Sequence, residues 1–449
     1  MDGMTLKRAA SVCGGRLCGA EDTERELKRV IIDSRAVQPG DLFVAYRGER
    51  VDGHDYIAAA LEKGAACCLA ERLPEGVRGP VLLVDDVQTA LEQIAEAYRK
   101  TLSLPVIGIT GSVGKTSAKE MIAAVLSRRF SVLKTEGNLN NQIGVPMTVS
   151  RITRAHEAAV VEMGISGFGE MRALSRIVRP DVGVFTVIGH AHLEFLHDLK
   201  GVLAAKTEML ENMAEDAWIV VNGDDALLRD FACAQRKLTV GVGEGNVLRA
   251  QEISQDAAGT RCRICGLGRA IEAEIPAFGQ HMIYAALEGA AVGILLGLTD
   301  GEIAAGIRDF ETVGRRAAVC DTGSITLVDD SYNANPDSVK CGVDSLLTLP
   351  GRHVCILGDM RELGEDSPAM HFDVGRYAAE KGVDAVYSSG AYGADLAAGA
   401  GEKGRCFDSC ESLIAALPTL LRKGDAILVK ASRGARFERV SEALKELRL

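Results

Sequence analysis

Apolar and polar residues alternate along this chain in short blocks that have the lengths of strands and helices. Short apolar runs, typical of buried strands, occur at residues 30–32, 42–45, 66–69, 81–84, 106–110, 158–161, 182–187, 218–221, 325–328, 354–357, 385–387 and 426–429. Segments with helical periodicity follow several of these runs. Strands that alternate with helices predict an α/β protein whose sheets are largely parallel.

Helices are predicted from the spacing of apolar positions and from capping residues. The clearest segments lie at residues 55–63, 115–128, 193–213 and 284–298, and another ends near Lys100. Thr299 and Glu302 have the spacing of a capping box and predict one more helix start. Residues 249–274 show no helical period and predict additional antiparallel strands.

Composition and charge narrow the class of protein. The 449 residues include 51 Lys and Arg against 62 Asp and Glu, and the net charge of −11 disfavours a nucleic-acid-binding protein. The longest uncharged apolar stretch, residues 289–298, is shorter than the about 20 residues of a membrane span. The N-terminal segment lacks the apolar core of a signal peptide, and the 12 cysteines are expected to be reduced thiols. We therefore expect a cytoplasmic protein with no membrane span.

The strongest chemical signal is the segment GITGSVGKTSAKE at residues 108–120, between a predicted strand and a predicted helix. Glycines let backbone N–H groups approach phosphate oxygens, and a helix start adds partial positive charge. Lys115 would reach the β- and γ-phosphates of a nucleotide, and the Thr116 hydroxyl would bind Mg²⁺. Ile109 stands where the generic pattern has its first Gly, and a glycine-rich turn without a ligand is the alternative. The position between strand and helix favours a nucleoside triphosphate site.

With this motif, the order of elements predicts three domains. At roughly 150 residues per domain, a chain of this length is expected to hold about three. Residues 1–102 would form a small α/β domain and residues 103–313 a central P-loop domain with a mononucleotide-binding sheet. Residues 314–449 would form a C-terminal domain with a Rossmann-like, doubly wound sheet.

Two residues that follow strands of the central domain are candidate metal ligands. Glu162 comes directly after the strand at 158–161, and His192 follows the strand at 182–187. Ligands bind at the carboxyl ends of parallel strands, and Mg²⁺ prefers oxygen ligands to a histidine nitrogen. The spacing leaves open that Glu162 is a solvated loop acid and that His192, or the nearby His190, is a surface histidine.

Polar segments also follow three strands of the predicted C-terminal sheet. They are DDSYNANPDS at 329–338, LGDMRELG at 357–364 and KASRG at 430–434. Carboxylates, amides and cations at neighbouring strand ends would make a binding edge, and the cations of KASRG could hold a carboxylate. Each segment could instead be a turn that leads into a helix, as the Asn335-Pro336 pair indicates for the first.

Together these segments resemble the Mur ligases of peptidoglycan synthesis, from DSR at 33–35 to KASRG. TGSVGKTS is similar to the family's P-loop, and the segments that follow it in family order are TEGNLNNQIGVP at 135–146, EMG at 162–164, IGHAHLEF at 188–195 and AAKTE at 204–208. DDSYNANP is the most discriminating segment, because related ligases that add other amino acids carry different residues there. DSR, GDLFVAYRG at 40–48 and DGHDY at 52–56 resemble a uridine-binding N-terminal domain.

The resemblance implies an ATP-dependent amide ligase, an acid–D-amino-acid ligase of cell-wall biogenesis that also serves cell shape and division. Its implied substrates are UDP-N-acetylmuramoyl-tripeptide and D-alanyl-D-alanine, joined through an acyl phosphate. The first domain would hold the UDP end of the substrate, the second ATP and two Mg²⁺ ions, and the third would help to bind ATP and the dipeptide. A monomer is expected.

The resemblance also implies roles for individual residues. The catalytic residues would be Lys115, Glu162, His192 and Lys206, and the metal ligands would be Thr116, Glu162, His192 and Lys206. The contacts to ATP would come from Gly111, Ser112, Gly114, Lys115, Thr116, Ser117, His281, Arg315, Arg316 and Asp330. The other substrates would contact Ser34, Arg35, Asn138, Asn141, Tyr332, Asn333, Asn335, Lys430 and Ser432.

Lys206 and three departures from the family pattern stand out. A lysine in AAKTE is by itself typical of a solvated cation, whereas the family lysine at this position is carbamylated by CO₂ and helps to hold Mg²⁺. The family's GxHNxxN segment is GQHMIYA here, which keeps His281 but places Met282 and Ala285 where relatives have asparagines. One of those asparagines helps to hold ATP in relatives. Ala431 replaces the Gly expected before Ser432.

Two other functional classes fit part of the sequence. A ligase that adds meso-diaminopimelate or lysine, or a folylpolyglutamate synthase, would share the P-loop but should lack YNANP. The folate enzyme should also lack the uridine-binding domain. A non-catalytic nucleotide-binding paralogue is the remaining alternative, for which Met282 and Ala285 are the only indication.

Overall fold

A computed structural model of the chain describes residues 1–48, 50–256 and 259–449. Three sheets organise these residues, and we call the chain around each sheet the N-terminal, central and C-terminal unit. The α/β class and the three-sheet architecture predicted from the sequence are confirmed. The domain boundaries at 102/103 and 313/314 stay a prediction. Within the described residues, no helix has both the length and the apolar character needed to cross a bilayer.

The N-terminal unit is a five-stranded sheet with three helices. Its elements are α1 (Leu6–Cys13), β1 (Arg16–Cys18), β2 (Val30–Ile31), β3 (Leu42–Val44), α2 (Ile57–Glu62), β4 (Cys67–Ala70), β5 (Val81–Leu83) and α3 (Val87–Arg99). The strand order is β1-β5-β4-β3-β2, and only the β1–β5 pair is antiparallel. Asp86 starts α3 by accepting a hydrogen bond from the Thr89 N–H, an N-cap that satisfies an otherwise free backbone donor.

The central unit is built on a nine-stranded sheet. Its elements are β6 (Val106–Thr110), α4 (Lys115–Leu126), β7 (Val132–Lys134), α5 (Gly144–Ser150), β8 (Ala158–Glu162), α6 (Glu170–Val178), β9 (Val182–Phe185), α7 (Leu193–Leu196), α8 (Leu199–Thr207), β10 (Trp218–Asn222), α9 (Ala226–Asp230), β11 (Arg236–Gly241), β12 (Leu248–Asp256), β13 (Gly259–Gly266), β14 (Arg269–Ile275), α10 (His281–Leu295) and α11 (Asp300–Arg308). The strand order is β14-β13-β12-β11-β10-β9-β6-β8-β7.

The strands from β7 to β12 are parallel, whereas β12, β13 and β14 pair antiparallel. The antiparallel prediction for 249–274 is therefore confirmed, apart from its residues 257 and 258, which lie outside the described residues. Helices α4 and α10 pack on one face of the parallel part, and α5, α6 and α8 pack on the other. All five residues of β6 are buried, as expected for a central parallel strand with helices on both faces.

The C-terminal unit is a six-stranded, doubly wound sheet. Its elements are β15 (Ala318–Asp321), β16 (Thr326–Asp330), α12 (Pro336–Leu346), β17 (His353–Leu357), α13 (Ser367–Lys381), β18 (Ala385–Ser389), α14 (Gly393–Gly399), β19 (Gly404–Phe407), α15 (Cys410–Leu420), β20 (Ala426–Lys430) and α16 (Glu438–Glu446). The strand order is β15-β16-β20-β17-β18-β19, and only β15 runs antiparallel to its neighbour. Strands β16, β17 and β20 therefore end side by side at one edge.

Two features of the central unit differ from the sequence prediction. The single helix predicted over 193–213 is wrong: α7 and α8 are separate, and a 3₁₀ turn at Glu208–Asn212 follows them. The break occurs at His197, whose φ is 69°, and Asp198 then caps α8 by accepting from the Gly201 N–H. The strand predicted to reach residue 187 ends at Phe185 instead. The capping box of Thr299 and Glu302 at the start of α11 is confirmed.

The N-terminal and central units are packed together through one continuous apolar core. Helix α3 contributes Tyr98, whose hydroxyl donates to the Ile152 carbonyl, and strand β2 contributes the Val30 N–H, which donates to Ser150 Oγ over 3.1 Å. The C-terminal unit faces the carboxyl edge of the central sheet, and a cavity of about 340 Å³ lies between them. Most of the predicted site residues line this cavity.

Candidate active site

The glycine-rich loop joins β6 to α4 and opens into the cavity. Gly114 is the N-cap of α4 and has a φ of 85°, a left-handed conformation that glycine adopts without steric cost. Helix α4 therefore begins at Lys115 with its first N–H groups directed at the loop. Lys115 Nζ folds back and donates to the Gly111 carbonyl over 2.7 Å. The loop thus combines free backbone donors, a helix start and an ammonium group, which together suit a polyphosphate.

The environment of Lys115 is crowded with charge. The pKa of Lys115 lies below the ordinary value for lysine, chiefly because the side chain is buried. The Glu162 carboxylate opposes this shift, and the Arg316 guanidinium adds to it. Arg316 belongs to the C-terminal unit, so a cation from that unit faces the loop across the cavity. The Arg316 guanidinium carbon lies 4.2 Å from the centre of the Tyr332 ring, a cation–π contact that holds it in place.

Glu162 is the centre of a hydrogen-bond network at the end of β8. Its carboxylate accepts from Thr116 Oγ1 at 3.0 Å and from Asn140 Nδ2 at 2.7 Å. Lys119 Nζ lies 3.9 Å from Glu162 Oε2 and also donates to the Thr135 carbonyl over 2.8 Å. Glu162 is only 2% exposed, so these contacts compensate the cost of burying a carboxylate.

Asn140 and Lys119 are site residues that sequence reasoning missed. Asn140 lies between the predicted residues Asn138 and Asn141, and its side chain is the one that contacts Glu162. The amide of Asn141 instead accepts from the Gly144 N–H and supports the start of α5. Lys119 is one helical turn after Lys115 on α4, which places both amines on the same side of the helix. That spacing was the available signal.

The candidate metal ligands divide into two groups. Thr116 and Glu162 supply hydroxyl and carboxylate oxygens within one hydrogen bond of each other, and this donor chemistry fits Mg²⁺. His192 lines the same cavity, but its Nδ1 contacts the Glu362 carboxylate of the C-terminal unit. Among the described residues, no three His, Cys, Asp or Glu side chains form a group that could hold a metal ion.

Lys206 is buried in α8 with only 1% of its surface exposed. Burial, and secondly the charge of Lys115, lower its pKa well below the ordinary value for lysine. In the part of the chain that the structure describes, its amine has no hydrogen-bond or ion-pair partner. Lys206 does not line the cavity.

The C-terminal unit contributes the opposite wall through DDSYNANP. Lys430, at the end of β20, donates to the Asp330 carboxylate and to the Asn333 carbonyl, the latter at 3.0 Å. Asn335 caps α12 and forms a capping box with Ser338. The segment is therefore both a helix start and a wall of the cavity. The predicted helix start is confirmed, and the predicted binding role stays a prediction.

The cavity unites most of the predicted residues. Those that line it are Ser112, Gly114, Lys115, Thr116, Ser117, Asn138, Asn141, Glu162, His192, His281, Arg316, Asp330, Tyr332, Asn333, Asn335 and Lys430. Those that do not line it are Gly111, Lys206, Arg315, Ser432, Ser34 and Arg35. Arg315 pairs with Glu442 at 2.6 Å, and Ser432 accepts from the Arg361 N–H at 3.0 Å.

His281 begins α10 and lines the cavity, and burial lowers its pKa. Met282 and Ala285 are buried in the apolar core between α10 and the sheet, with 2% and 3% exposure. Neither side chain lines the cavity. Met282 and Ala285 are therefore core residues.

Ser34 and Arg35 lie in the N-terminal unit, in a 3₁₀ turn after β2. The Arg35 side chain is 88% exposed and pairs with Asp33, with 2.8 Å between Nη2 and Oδ2. Hydrogen bonds from Arg35 lower the pKa of Asp33 to about 2. Lys63 Nζ fixes the turn by donating to the Ser34 and Arg35 carbonyls at 2.9 and 3.2 Å. The turn presents a guanidinium to solvent, as a site for an anionic ligand requires.

Family matches cover all three units. The Mur ligase family, catalytic domain, matches residues 26–99; the Mur ligase middle domain matches 109–293; and the Mur ligase glutamate ligase domain matches 314–433. The chain belongs to the Mur ligase family.

Individual relatives agree along nearly the whole length. UDP-N-acetylmuramoyl-tripeptide–D-alanyl-D-alanine ligase of Bacillus subtilis is 36% identical, covering 98% of each chain. A crystal structure of MurF from Acinetobacter baumannii superposes with a TM-score of 0.91 at 30% identity, covering 99% of each chain. MurF ligase of Thermotoga maritima in complex with ADP superposes with a TM-score of 0.82 at 29% identity, covering 93% of this chain and 97% of that one.

Proposed function

We propose that this chain is an ATP-dependent ligase that joins D-alanyl-D-alanine to UDP-N-acetylmuramoyl-tripeptide in peptidoglycan precursor synthesis. The observation that carries the proposal is the cavity in which the P-loop faces the DDSYNANP segment. The similarity to ligases named for this reaction supports the same substrates. Ligases that add meso-diaminopimelate or lysine are disfavoured, because we expect them to lack the YNANP segment that this chain carries.

The three predicted domains would divide the substrates. Residues 1–102 would hold the UDP end through the turn that carries Ser34 and Arg35. Residues 103–313 would hold ATP at the P-loop, and residues 314–449 would supply Arg316, Asp330 and Lys430. The reaction would take place where the last two meet, since the cavity between them holds the cations and the carboxylates together.

The proposed reaction activates a carboxylate and then forms an amide. An oxygen of the tripeptide's terminal carboxylate attacks the γ-phosphorus of ATP, the bond to the β-phosphate oxygen breaks, and ADP leaves. The amine of D-alanyl-D-alanine then attacks the acyl carbon, loses a proton, and expels phosphate. Lys115 and Arg316 would neutralise charge on the transferred phosphoryl group, and a closed cavity would keep water from the acyl phosphate.

Thr116 and Glu162 would hold Mg²⁺, and we expect two ions with His192 and Lys206 as further ligands. The ions would supply charge neutralisation at the phosphates. His192 Nδ1 contacts Glu362, so His192 could bind a metal in one of two ways. Either this contact breaks, or the other ring nitrogen, Nε2, binds the metal. Asn140 and Lys119 would orient the Glu162 carboxylate, because both contact its oxygens.

Lys206 would be carbamylated. Attack on CO₂ requires a neutral amine, and an ordinary lysine with a pKa of about 10.4 is protonated at neutral pH. Burial and the charge of Lys115 lower the pKa of Lys206, so its amine is available for the reaction. The carbamate would reverse the local charge from positive to negative, which suits a position beside Lys115 and near a cation.

A cytoplasmic location is also proposed, since the reaction consumes ATP and all 12 cysteines are free. A monomer stays a prediction.

The decisive experiment measures ADP and phosphate release with ATP and each acceptor singly and together. We expect turnover only when UDP-N-acetylmuramoyl-tripeptide and D-alanyl-D-alanine are both present. Equal turnover with meso-diaminopimelate or lysine in place of the dipeptide would identify another ligase, and no turnover with any acceptor would indicate a non-catalytic nucleotide-binding protein.

A further inference from the structure

Asp337, in the first turn of α12, reaches across to the central unit. Its Oδ2 accepts the His190 backbone N–H at 2.6 Å and lies 3.0 Å from His190 Nδ1. A single carboxylate of the C-terminal unit therefore holds both the main chain and the side chain of one loop residue. Among residues described for these two units, Glu362 makes a neighbouring link: its carboxylate contacts His192 Nδ1, and its carbonyl accepts the Glu194 N–H at 3.2 Å.

The loop that Asp337 holds is also bonded to the phosphate-binding loop. Ser112 Oγ donates to the Gly189 carbonyl at 3.0 Å and accepts from the Gly189 N–H at 2.9 Å. The Ser112 N–H donates to the Val187 carbonyl at 2.8 Å. Gly189 and His190 are adjacent in the chain, so the contacts from Asp337 and from Ser112 meet at one peptide unit.

The close approach of Asp337 depends on the absence of a side chain at position 189. A Cβ built on Gly189 would lie 2.5 Å from Asp337 Oδ2, closer than real Cβ contacts allow. Any larger residue must displace the carboxylate. Gly189 therefore fits a packed contact in which the carboxylate covers the glycine and bonds to the next residue.

We propose that Asp337 is a positioning residue for nucleotide binding, acting through Gly189 and His190 on Ser112 of the phosphate-binding loop. This inference rests on the proposed binding of ATP at that loop. Residues 187–190 are fixed on one side by the C-terminal unit and on the other by Ser112. When the Asp337 contact is lost, the Gly189 peptide gains freedom, and Ser112 loses a fixed partner. The C-terminal unit thus sets nucleotide affinity at a loop that belongs to the central unit.

The test measures ADP binding by calorimetry in the full-length protein, without any acceptor. Asp337→Ala removes both carboxylate oxygens, and Gly189→Ala keeps every hydrogen-bonding group but displaces the carboxylate. We expect each variant to bind ADP about tenfold more weakly, within the usual range of coupling between sites. The double variant is expected to be no weaker than either single variant, because both changes remove the same contact.

Asp344→Ala is the matched control. Asp344 is also on α12, but its partners Lys381 and Tyr377 belong to the C-terminal unit, so ADP affinity should stay within twofold of wild type. The proposal is overturned if Asp337→Ala binds ADP like wild type, or if the two losses add fully. The ADP measurement needs no ligation, so a protein that shows the coupling but ligates nothing would refute only the proposed reaction.

Discussion

Thr116 donates a hydrogen bond to Glu162 across the carboxyl edge of the central sheet, with 3.0 Å between Oγ1 and Oε2. Thr116 belongs to helix α4, which follows the glycine-rich loop, whereas Glu162 ends strand β8, the neighbour of β6. The pair brings a helix start and a strand end to one oxygen-rich point. The candidate active site is organised around this point, because both residues line the cavity.

Lys115→Met should abolish ATP turnover while the fold persists. Within the described residues, the Lys115 amine donates one hydrogen bond, to the Gly111 carbonyl, and Lys115 lines the cavity. Its removal would therefore delete the proposed phosphate contact rather than core packing. We expect phosphate release with both acceptors to fall by at least a hundredfold, comparable to losing one preorganised electrostatic contact to a transition state. Circular dichroism should be unchanged. Substantial residual turnover would contradict the phosphate-binding assignment of the loop.

Lys206→Ala should also lose activity, and wild-type protein should show a carbamate resonance with ¹³C-labelled CO₂. Under the proposal, the buried amine with its lowered pKa would be the group that reacts. Lys200→Ala is the matched control, because Lys200 is an exposed lysine of the same helix α8. The carbamate resonance should persist in the Lys200 variant and disappear in the Lys206 variant. A wild-type rate that is unaffected by CO₂ depletion, together with no resonance, would rule out the modification.

Arg35→Ala should weaken binding of UDP-N-acetylmuramoyl-tripeptide about tenfold and leave ADP affinity unchanged. Arg35 is exposed in the N-terminal unit, so it can contact an anionic ligand without supporting the core. A charge-assisted hydrogen bond to such a ligand is stronger than one between neutral groups. Titration calorimetry with each ligand separates the two sites, and Arg8→Ala, an exposed arginine of α1, is the control. An equal loss for both ligands would assign Arg35 a structural role.

We expect the buried side chain of Glu288 to lower the free energy of unfolding as the pH rises. It is 2% exposed in α10, its Oε1 has no hydrogen-bond partner within the described structure, and burial raises its pKa from the ordinary 4.5 to about 8. Between these values the unfolded chain releases a proton that the folded chain retains. Rising pH therefore favours unfolding by about 1.4 kcal/mol per pH unit in this window, with no penalty below it and a constant penalty above it.

Glu288→Gln removes this titration and should gain stability relative to wild type as the pH rises from 5 to 8. Calorimetric melting temperatures across that range give the difference. A cost of burying the Gln amide is independent of pH, so the widening of the gap is the diagnostic result. Glu215→Gln changes an exposed glutamate of the central unit and should show a constant gap. Parallel pH profiles for wild type and Glu288→Gln would refute the buried, protonated carboxyl.

Local sequence patterns were sufficient to predict the α/β class and the three sheets. The apolar run at 106–110 and the GSVGKT segment after it identify a strand, a loop and a helix start, because each depends on residues that are adjacent in the chain. The helix predicted over 193–213 failed for an equally local reason. The apolar spacing continues through His197, but the positive φ of His197 breaks the helix there. The spacing of apolar residues does not indicate this backbone conformation.

Contacts between distant segments could not be predicted from patterns. Asn140 and Glu162 are 22 positions apart, and His190 and Asp337 are 147 apart, so only the folded sheets bring them together. The family resemblance supplied Lys206, for which the sequence alone favoured a solvated cation. The burial that distinguishes it comes from the packing of α8 against the central sheet.

The most direct test of the proposed reaction follows oxygen atoms. UDP-N-acetylmuramoyl-tripeptide labelled with ¹⁸O at both oxygens of its terminal carboxylate is incubated with the enzyme, ATP and D-alanyl-D-alanine, and the products are weighed by mass spectrometry. An acyl phosphate transfers one carboxylate oxygen to phosphate and leaves the other in the amide, so we predict singly labelled phosphate, unlabelled ADP and a singly labelled ligated product. Unlabelled phosphate, or AMP with pyrophosphate, would contradict the account.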